Sequence, residues 1–334
     1  MTIPELVCPA GTGAALEAAV DHGADAVYVG LKNETNARNF PGLNLTAAEL
    51  VSGVRYAHGR GCKVYLALNT YAKPGRLAMW QQSADHAASA GVDAIIAADL
   101  AVLRYCQRHH PELPRHLSVQ GSATSNEALR FYSEQLGVTR AVLPRVLALN
   151  QVQRLADKAP VDLEVFGFGG LCVMVEGRCA LSSYATGVSP NTGGACSPAA
   201  AVRWEEKGRE RRVRLNGVLI DVFQKSEKAG YPTLCKGRFK IGSDVGYVLE
   251  EPTSLNVLPI LGDLTRIPVR AIKIEGRQRS PSYVARVTAI FRAALDAYSR
   301  NPEAYSVQAQ WTEGLASLSE GHHQTLGAFE RPWR

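Results

Sequence analysis

The chain has no apolar run near the roughly 18 residues that a membrane span needs, and no basic, apolar and small-residue succession at its start. Residence in the cytoplasm is the expectation. Cysteines are few, seven in 334 residues and odd in number, which excludes the dense disulfide framework of a small secreted domain. In a reducing compartment such thiols are left for metal, catalysis or packing. The usual hydrolytic and nucleotide signatures are missing as well: there is no HExxH, no GxSxG elbow and no Walker loop. His109-His110 and His322-His323 stand in polar settings that suit a surface better than a reaction, and the Gly11-Thr12-Gly13 turn is too short to signal a nucleotide. Excess charge is also modest, +6 over the whole length. The one dense basic run, Lys207 to Arg214 broken by Glu210, reads as a solvated hairpin edge and argues against a nucleic-acid partner.

What is present is a beat of short apolar, β-branched runs: Leu6-Val7-Cys8, Ala26 to Gly30, Val64 to Leu68, Ala94 to Ala98, His116 to Gln120, Ala141 to Leu143 and Leu163 to Phe168. Between them lie stretches of helical spacing, Gly13 to His22, Thr46 to His58, Leu77 to Ala90, Asn126 to Gln135 and Asn150 to Lys158. Strand then helix, repeated, means a parallel sheet. An eighth strand, Ala271 to Gly276, comes only after a gap of about a hundred residues, followed by a helix from Ser282 to Tyr298. Eight such units close into a (β/α)8 TIM-like barrel of about 250 residues. The remainder is a large β-rich insertion between strand 7 and strand 8. Its turns include Asn216-Gly217, Gly193-Gly194 and several prolines. The expected division is residues 1–170 for the first seven units, 171–266 for the cysteine-bearing insertion, and 267–334 for the last strand, its helix and a polar tail.

Four of the seven thiols, Cys172, Cys179, Cys196 and Cys235, fall in that one irregular stretch. Four thiolates suffice for zinc or for an iron-sulfur cluster. Structural zinc sites use close cysteine pairs, none of which occurs here, so the wide spacing favours a [4Fe-4S] cluster. Gly169, Gly170, Gly177, Gly193, Gly194 and Gly237 remove side chains beside these thiols and would let backbone amides approach cluster sulfurs. Cys8, Cys62 and Cys106 lie on or beside regular elements and read as core residues.

In a barrel of this kind chemistry collects where strands end. Those ends carry Lys32, Asn36 and Arg38, Asn69-Thr70, Asp99, Gln120 with Ser122, Thr124 and Asn126, Arg145, and Glu275-Gly276-Arg277. They are rich in amides and guanidinia and poor in paired carboxylates. Arg38, Arg145 and Arg277 offer planar forks to an anionic, oxygen-rich small molecule. Arg145, Arg277, Asn69 and Gln120 are the candidates for the reaction itself.

The blocks Leu6 to Gly11, Gly23 to Leu31, Asn36 to Phe40, Gly169 to Tyr184, Asn191 to Pro198, Tyr231 to Arg238 and Lys273 to Val284 resemble the collagenase-like peptidase family of unassigned mechanism, family U32. Within it, the resemblance is nearest to the UbiU-like branch that serves ubiquinone biosynthesis. The resemblance implies one [4Fe-4S] cluster held by Cys172, Cys179, Cys196 and Cys235, and a heterodimer with a homologous UbiV-like subunit. It also implies ring hydroxylation of a quinone precursor without O2, with prephenate as oxygen donor. Other members hydroxylate a tRNA or rRNA base, which is the alternative. Despite the family's name, these residues support a peptidase poorly.

Overall fold

The computed structural model describes residues 3–227, 229–321 and 323–331. The first half alternates β1 (Glu5–Pro9), α1 (Gly13–Asp21), β2 (Ala26–Gly30), α2 (Ala47–His58), β3 (Lys63–Leu68), α3 (Leu77–Ala90), β4 (Ala94–Ala97) and α4 (Leu100–His109). It continues through β5 (Arg115–Leu117), α5 (Asn126–Leu136), β6 (Val138–Val142), α6 (Leu149–Ala156) and β7 (Asp162–Gly170). After a long excursion come α9 (Leu261–Arg266), β14 (Val269–Ile274) and α10 (Pro281–Arg300). Strand β14 pairs in parallel with both β1 and β7, Ile272 lying opposite Leu6 on one side and Val165 on the other. That double pairing closes eight parallel strands into a barrel, a TIM-like α/β fold with no open edge among them.

Strand alternation explains the packing. Leu6, Cys8, Val27, Val29, Val64, Leu66 and Ile95 belong to the main core shared with the surrounding helices, whereas Val7, Ala26, Tyr28, Tyr65, Ala94, Ile96 and Ala271 form a separate inner cluster. Both faces of each strand are covered, so the strands read as continuous apolar runs. Helix α10 buries Tyr283, Val284, Val287, Phe291, Leu295 and Tyr298, a stripe at helical spacing. Pro281 stands in its first turn, and the Ser280 hydroxyl accepts from the Tyr283 amide. Cys8, Cys62 and Cys106 are all buried in the main core.

Three readings change. The strand expected over His116 to Gln120 is shorter, because Ser118 caps a 3-10 turn over Val119–Gly121 that brings Gln120 to the barrel mouth. Helix α4 has no counterpart in the expected elements. It buries Val102, Leu103 and Cys106 at helical spacing, and Asp99 caps it by accepting from the Ala101 amide at 2.8 Å. The stretch 171–266 is also not β-rich throughout. It begins with two short helices, α7 (Leu181–Thr186) and α8 (Pro190–Gly193). It then forms a three-stranded antiparallel sheet from β8 (Val202–Lys207), β9 (Glu210–Leu215) and β10 (Val218–Gln224), and a hairpin of β11 (Arg238–Ile241) and β12 (Asp244–Tyr247). Asn216 and Gly217 both take positive φ, 48° and 84°, as a tight two-residue hairpin turn demands. Its end returns to the barrel: β13 (Thr253–Asn256) pairs antiparallel with the end of β7, and α9 supplies the crossover before β14. In the tail, α11 (Ala309–Leu318) packs Trp311 and Leu315 inward, and β15 (His323–Thr325) runs parallel to β13. Among the described residues, no helix is long and apolar enough to cross a membrane.

Candidate active site at the barrel mouth

Where the barrel strands end, the excursion after β7 folds over the opening and encloses a cavity of about 1170 Å³. Glycine makes the close approach possible. Gly177 holds φ 85°, and a Cβ there would lie 2.0 Å from the Gln120 carbonyl oxygen. Gly194 holds φ 76° and would press on the backbone of Asn36 at 2.9 Å. No side chain fits at either place, so these glycines seat the loop on the barrel rim. At Gly177 and Gly194 the space is taken by the rim's own backbone, and at Gly169 and Gly170 by the Glu275 and Glu320 side chains.

Cys172, Cys179, Cys196 and Cys235 all line this cavity as free, half-buried thiols. They arrive from separate places: the exit of β7, the turn before α7, the loop after α8, and a 3-10 turn over Leu234–Lys236. Burial pushes the Cys172 thiol up to about 12, with Glu176 adding to it, and burial likewise raises Cys196 and Cys235. The Cys196 thiol also feels the charges of Cys179 and Cys235, and Cys172 feels Cys196, which makes the four electrostatic neighbours. One tetrahedral ion would draw its thiolates to within about 4 Å of each other, given metal–sulfur bonds of about 2.3 Å. Among the described residues no group of three or more ligands is set for a single ion.

The charged groups around the cavity fall into pairs. Arg145 meets Glu176 at 2.7 Å and the Gly170 carbonyl at 2.5 Å, and its guanidinium lies 4.4 Å from the Phe166 ring centre. Burial works against the charge on Arg145, but Glu176, Cys172 and Glu275 together outweigh it and raise the pKa. Arg38, itself at φ 69°, faces Glu275 at 3.6 Å, and Lys236 meets Glu320 at 2.8 Å. At the inner end Lys273 donates to Glu164 at 2.7 Å beneath the Tyr28 ring. Arg277 differs: its Nη1 donates to the side-chain oxygens of Asn36 at 2.9 Å and Asn44 at 3.3 Å, and among the described residues no ion pair engages it, though Glu275 acts on its charge. Burial draws its pKa down to about 10, still charged at neutral pH.

Of the sequence candidates, Asn69, Gln120, Arg145 and Arg277 all line the cavity. Asn69 accepts from the Ala37 amide at 3.0 Å, and the Gln120 side-chain oxygen is buried without a hydrogen-bond partner among the described residues. Lys32 and Asp99 are elsewhere, paired with exposed Glu49 and capping α4. His109 stacks on Tyr105, and His110 meets Asp85 at 2.7 Å, away from the cavity; His322 lies outside the described residues. Sequence reasoning missed Glu176, Lys236 and Lys273. The last had a signal, since a lysine alternating with Ala271 in a strand of the barrel must point into the lumen.

A closed parallel barrel with a cysteine-lined cavity at the ends of its strands defines the class of protein. The family profile described as Peptidase family U32 matches residues 11–331, and the chain belongs to that family. It is 30% identical over 329 residues to "tRNA hydroxylation protein P1" of Bacillus subtilis, covering 98% of this chain and 70% of the relative. It is 30% identical to "tRNA hydroxylation protein P" of Escherichia coli, covering 94% and 72%. To the "23S rRNA 5-hydroxycytidine C2501 synthase" of Escherichia coli it is 31% identical, covering 88% of this chain and 39% of that one.

Proposed function

We propose that this chain is an O2-independent hydroxylase component whose Cys172, Cys179, Cys196 and Cys235 hold a [4Fe-4S] cluster at the barrel mouth. The observation that carries the reading is the meeting of these four thiols on one cavity, in a chain whose relatives are named for hydroxylation. Held by four cysteines, such a cluster supplies electron transfer. The chain's own part is to bind and orient a ring in this cavity, which Phe166 and Tyr28 line with aromatic rings and Asn69 and Gln120 with side-chain amides. Anoxic purification tests the cofactor. About four irons per chain are expected, and iron-free protein from a strictly anoxic preparation would refute the reading.

For the substrate, the relatives' names favour a base of tRNA or rRNA. A second reading, a ubiquinone precursor hydroxylated in a cytoplasmic heterodimer with a UbiV-like subunit and with prephenate as oxygen donor, has its own support. The motif blocks resemble the UbiU-like branch, and two arginines of the basic run are committed to glutamates. Arg212 pairs with Glu210 at 2.9 Å, Arg214 with Glu205 at 3.6 Å, and Arg211 donates to the Glu227 carbonyl. Deleting the gene and growing cells without O2 separates the two. Loss of one hydroxylated nucleoside supports the first, and loss of quinone with unchanged nucleosides supports the second.

A further inference from the structure

The three-stranded sheet of the excursion ends in an open edge. Its order is β10-β9-β8, and among the described residues no strand pairs with the outer side of β8. An unpaired row of amides and carbonyls is a template for another strand, which proteins commonly spoil with a proline, a bulge or a very short edge. Strand β8 uses none of these. It is six residues long and holds no proline, and its ladder with β9 runs unbroken from Val202 to Lys207, whereas the β9–β10 ladder is interrupted between Leu219 and Asp221. What it carries instead is charge of both signs around one tryptophan. Val202 and Trp204 stand opposite Leu215 and Val213, on the face that holds this sheet's small core, and the Trp204 ring lies 6.1 Å from Phe223. Trp204 is nevertheless 45% exposed. On the other face Arg203 meets Glu205 at 3.1 Å, with 77% of its side chain in solvent.

We propose that β8 pairs with β8 of a second copy of this chain, joining two three-stranded sheets into one antiparallel sheet of six strands. Residues directly opposite each other in an antiparallel pair share a face, so a two-fold symmetric pairing centres on a single residue. Centred on Arg203, it sets arginine against arginine. Centred on Glu205, it sets glutamate against glutamate and Arg203 against Lys207 of the second copy. Centred on Trp204, it places Arg203 opposite Glu205 of the second copy, twice over by symmetry, and brings the two Trp204 side chains together on the core-bearing face. The run Arg203-Trp204-Glu205 is thus self-complementary in one register and self-repelling in the registers on either side. In that register the half-exposed tryptophan gains an apolar neighbour and the exposed arginine gains a second carboxylate.

Light scattering on the full chain across a concentration series tests the pairing. The mass is expected to rise from one chain to two with concentration, as a small interface requires. Arg203→Glu and Glu205→Arg are each expected to weaken self-association about tenfold or more, through two like-charge contacts per dimer. Mixed in equal amounts, the two variants are expected to associate as the native chain does, because every acid on one then faces a base on the other. Val245→Asp, on the β11–β12 hairpin where Val245 is 68% exposed, is expected to leave the mass unchanged. A single-chain mass at every concentration up to about 0.5 mM, native association by either β8 variant alone, no recovery on mixing, or loss of the dimer in Val245→Asp would each overturn the proposal. Should Glu205→Arg fail to fold, as judged by thermal melting, Arg203→Glu decides, since that side chain stands in solvent. Iron content is read separately on the same samples, so self-association and the hydroxylase reading can fail independently.

Discussion

The inner end of the barrel and its mouth are both unusually rich in buried charge, but they use it differently. Inside, Arg140 meets Glu5 at 2.9 Å and Glu164 at 3.5 Å, and Glu164 in turn accepts from Lys273 at 2.7 Å. The network closes on itself, with charge answered by charge. At the mouth four cysteine thiols and Arg277 line a cavity, and among the described residues Arg277 donates to the neutral amides of Asn36 and Asn44 with no ion pair. The lesson is that burial of polar groups alone does not mark a site. A site is marked where buried groups are positioned by the fold yet left without partners.

The strongest way to break the comparison is through cysteine. Cys172→Ala or Cys235→Ala is expected to abolish iron retention, whereas Cys8→Ala in the core leaves iron per chain unchanged. Equal iron in all three after anoxic isolation would erase the distinction. Next in size, Glu164→Ala strands Lys273 and Arg140 without their shared acid. A loss of about 3–5 kcal/mol in denaturant unfolding is expected, with iron content per folded chain preserved.

The pH response sharpens the same contrast. Burial, helped by Arg140 and Lys273, holds His116 well below its ordinary 6.5, so it is neutral in the folded chain. The unfolded chain then binds more protons, and stability falls as pH drops below about 6.5. The denaturation midpoint is expected to decline from pH 7 to pH 5, and to decline less in His116→Gln. Smallest is a purely local effect at the rim's outer helix. Thr46 and Glu49 form a reciprocal cap on α2, and Thr46→Ala is expected to cost about 1 kcal/mol with no change in iron or ligand binding.

Much of this was legible beforehand, for reasons that differ by element. The strands around Val27, Leu66 and Val165 announced themselves because both of their faces are apolar, and α3 was placed from Leu77 to Ala90 by its periodicity. Helix α4 was not expected, although Val102, Leu103 and Cys106 stand at helical spacing along it. The site was half legible. Cysteines and strand-end arginines are visible as residue types, but Glu176 and Lys236 owe their place to a loop that returns to the barrel, and no local pattern encodes that return.

By itself, the sequence determined the closed alternation of strands and helices and the identity of the four gathered thiols, because hydrophobic period and residue chemistry are local properties. Which arginine is neutralised and which is left open was decided only in three dimensions. Arg145 and Arg277 look alike along the chain, and one finds Glu176, from 31 positions away, while the other finds the amides of Asn36 and Asn44, more than 230 positions away. Charge balance is a property of neighbours in space, and tertiary packing alone chooses those neighbours.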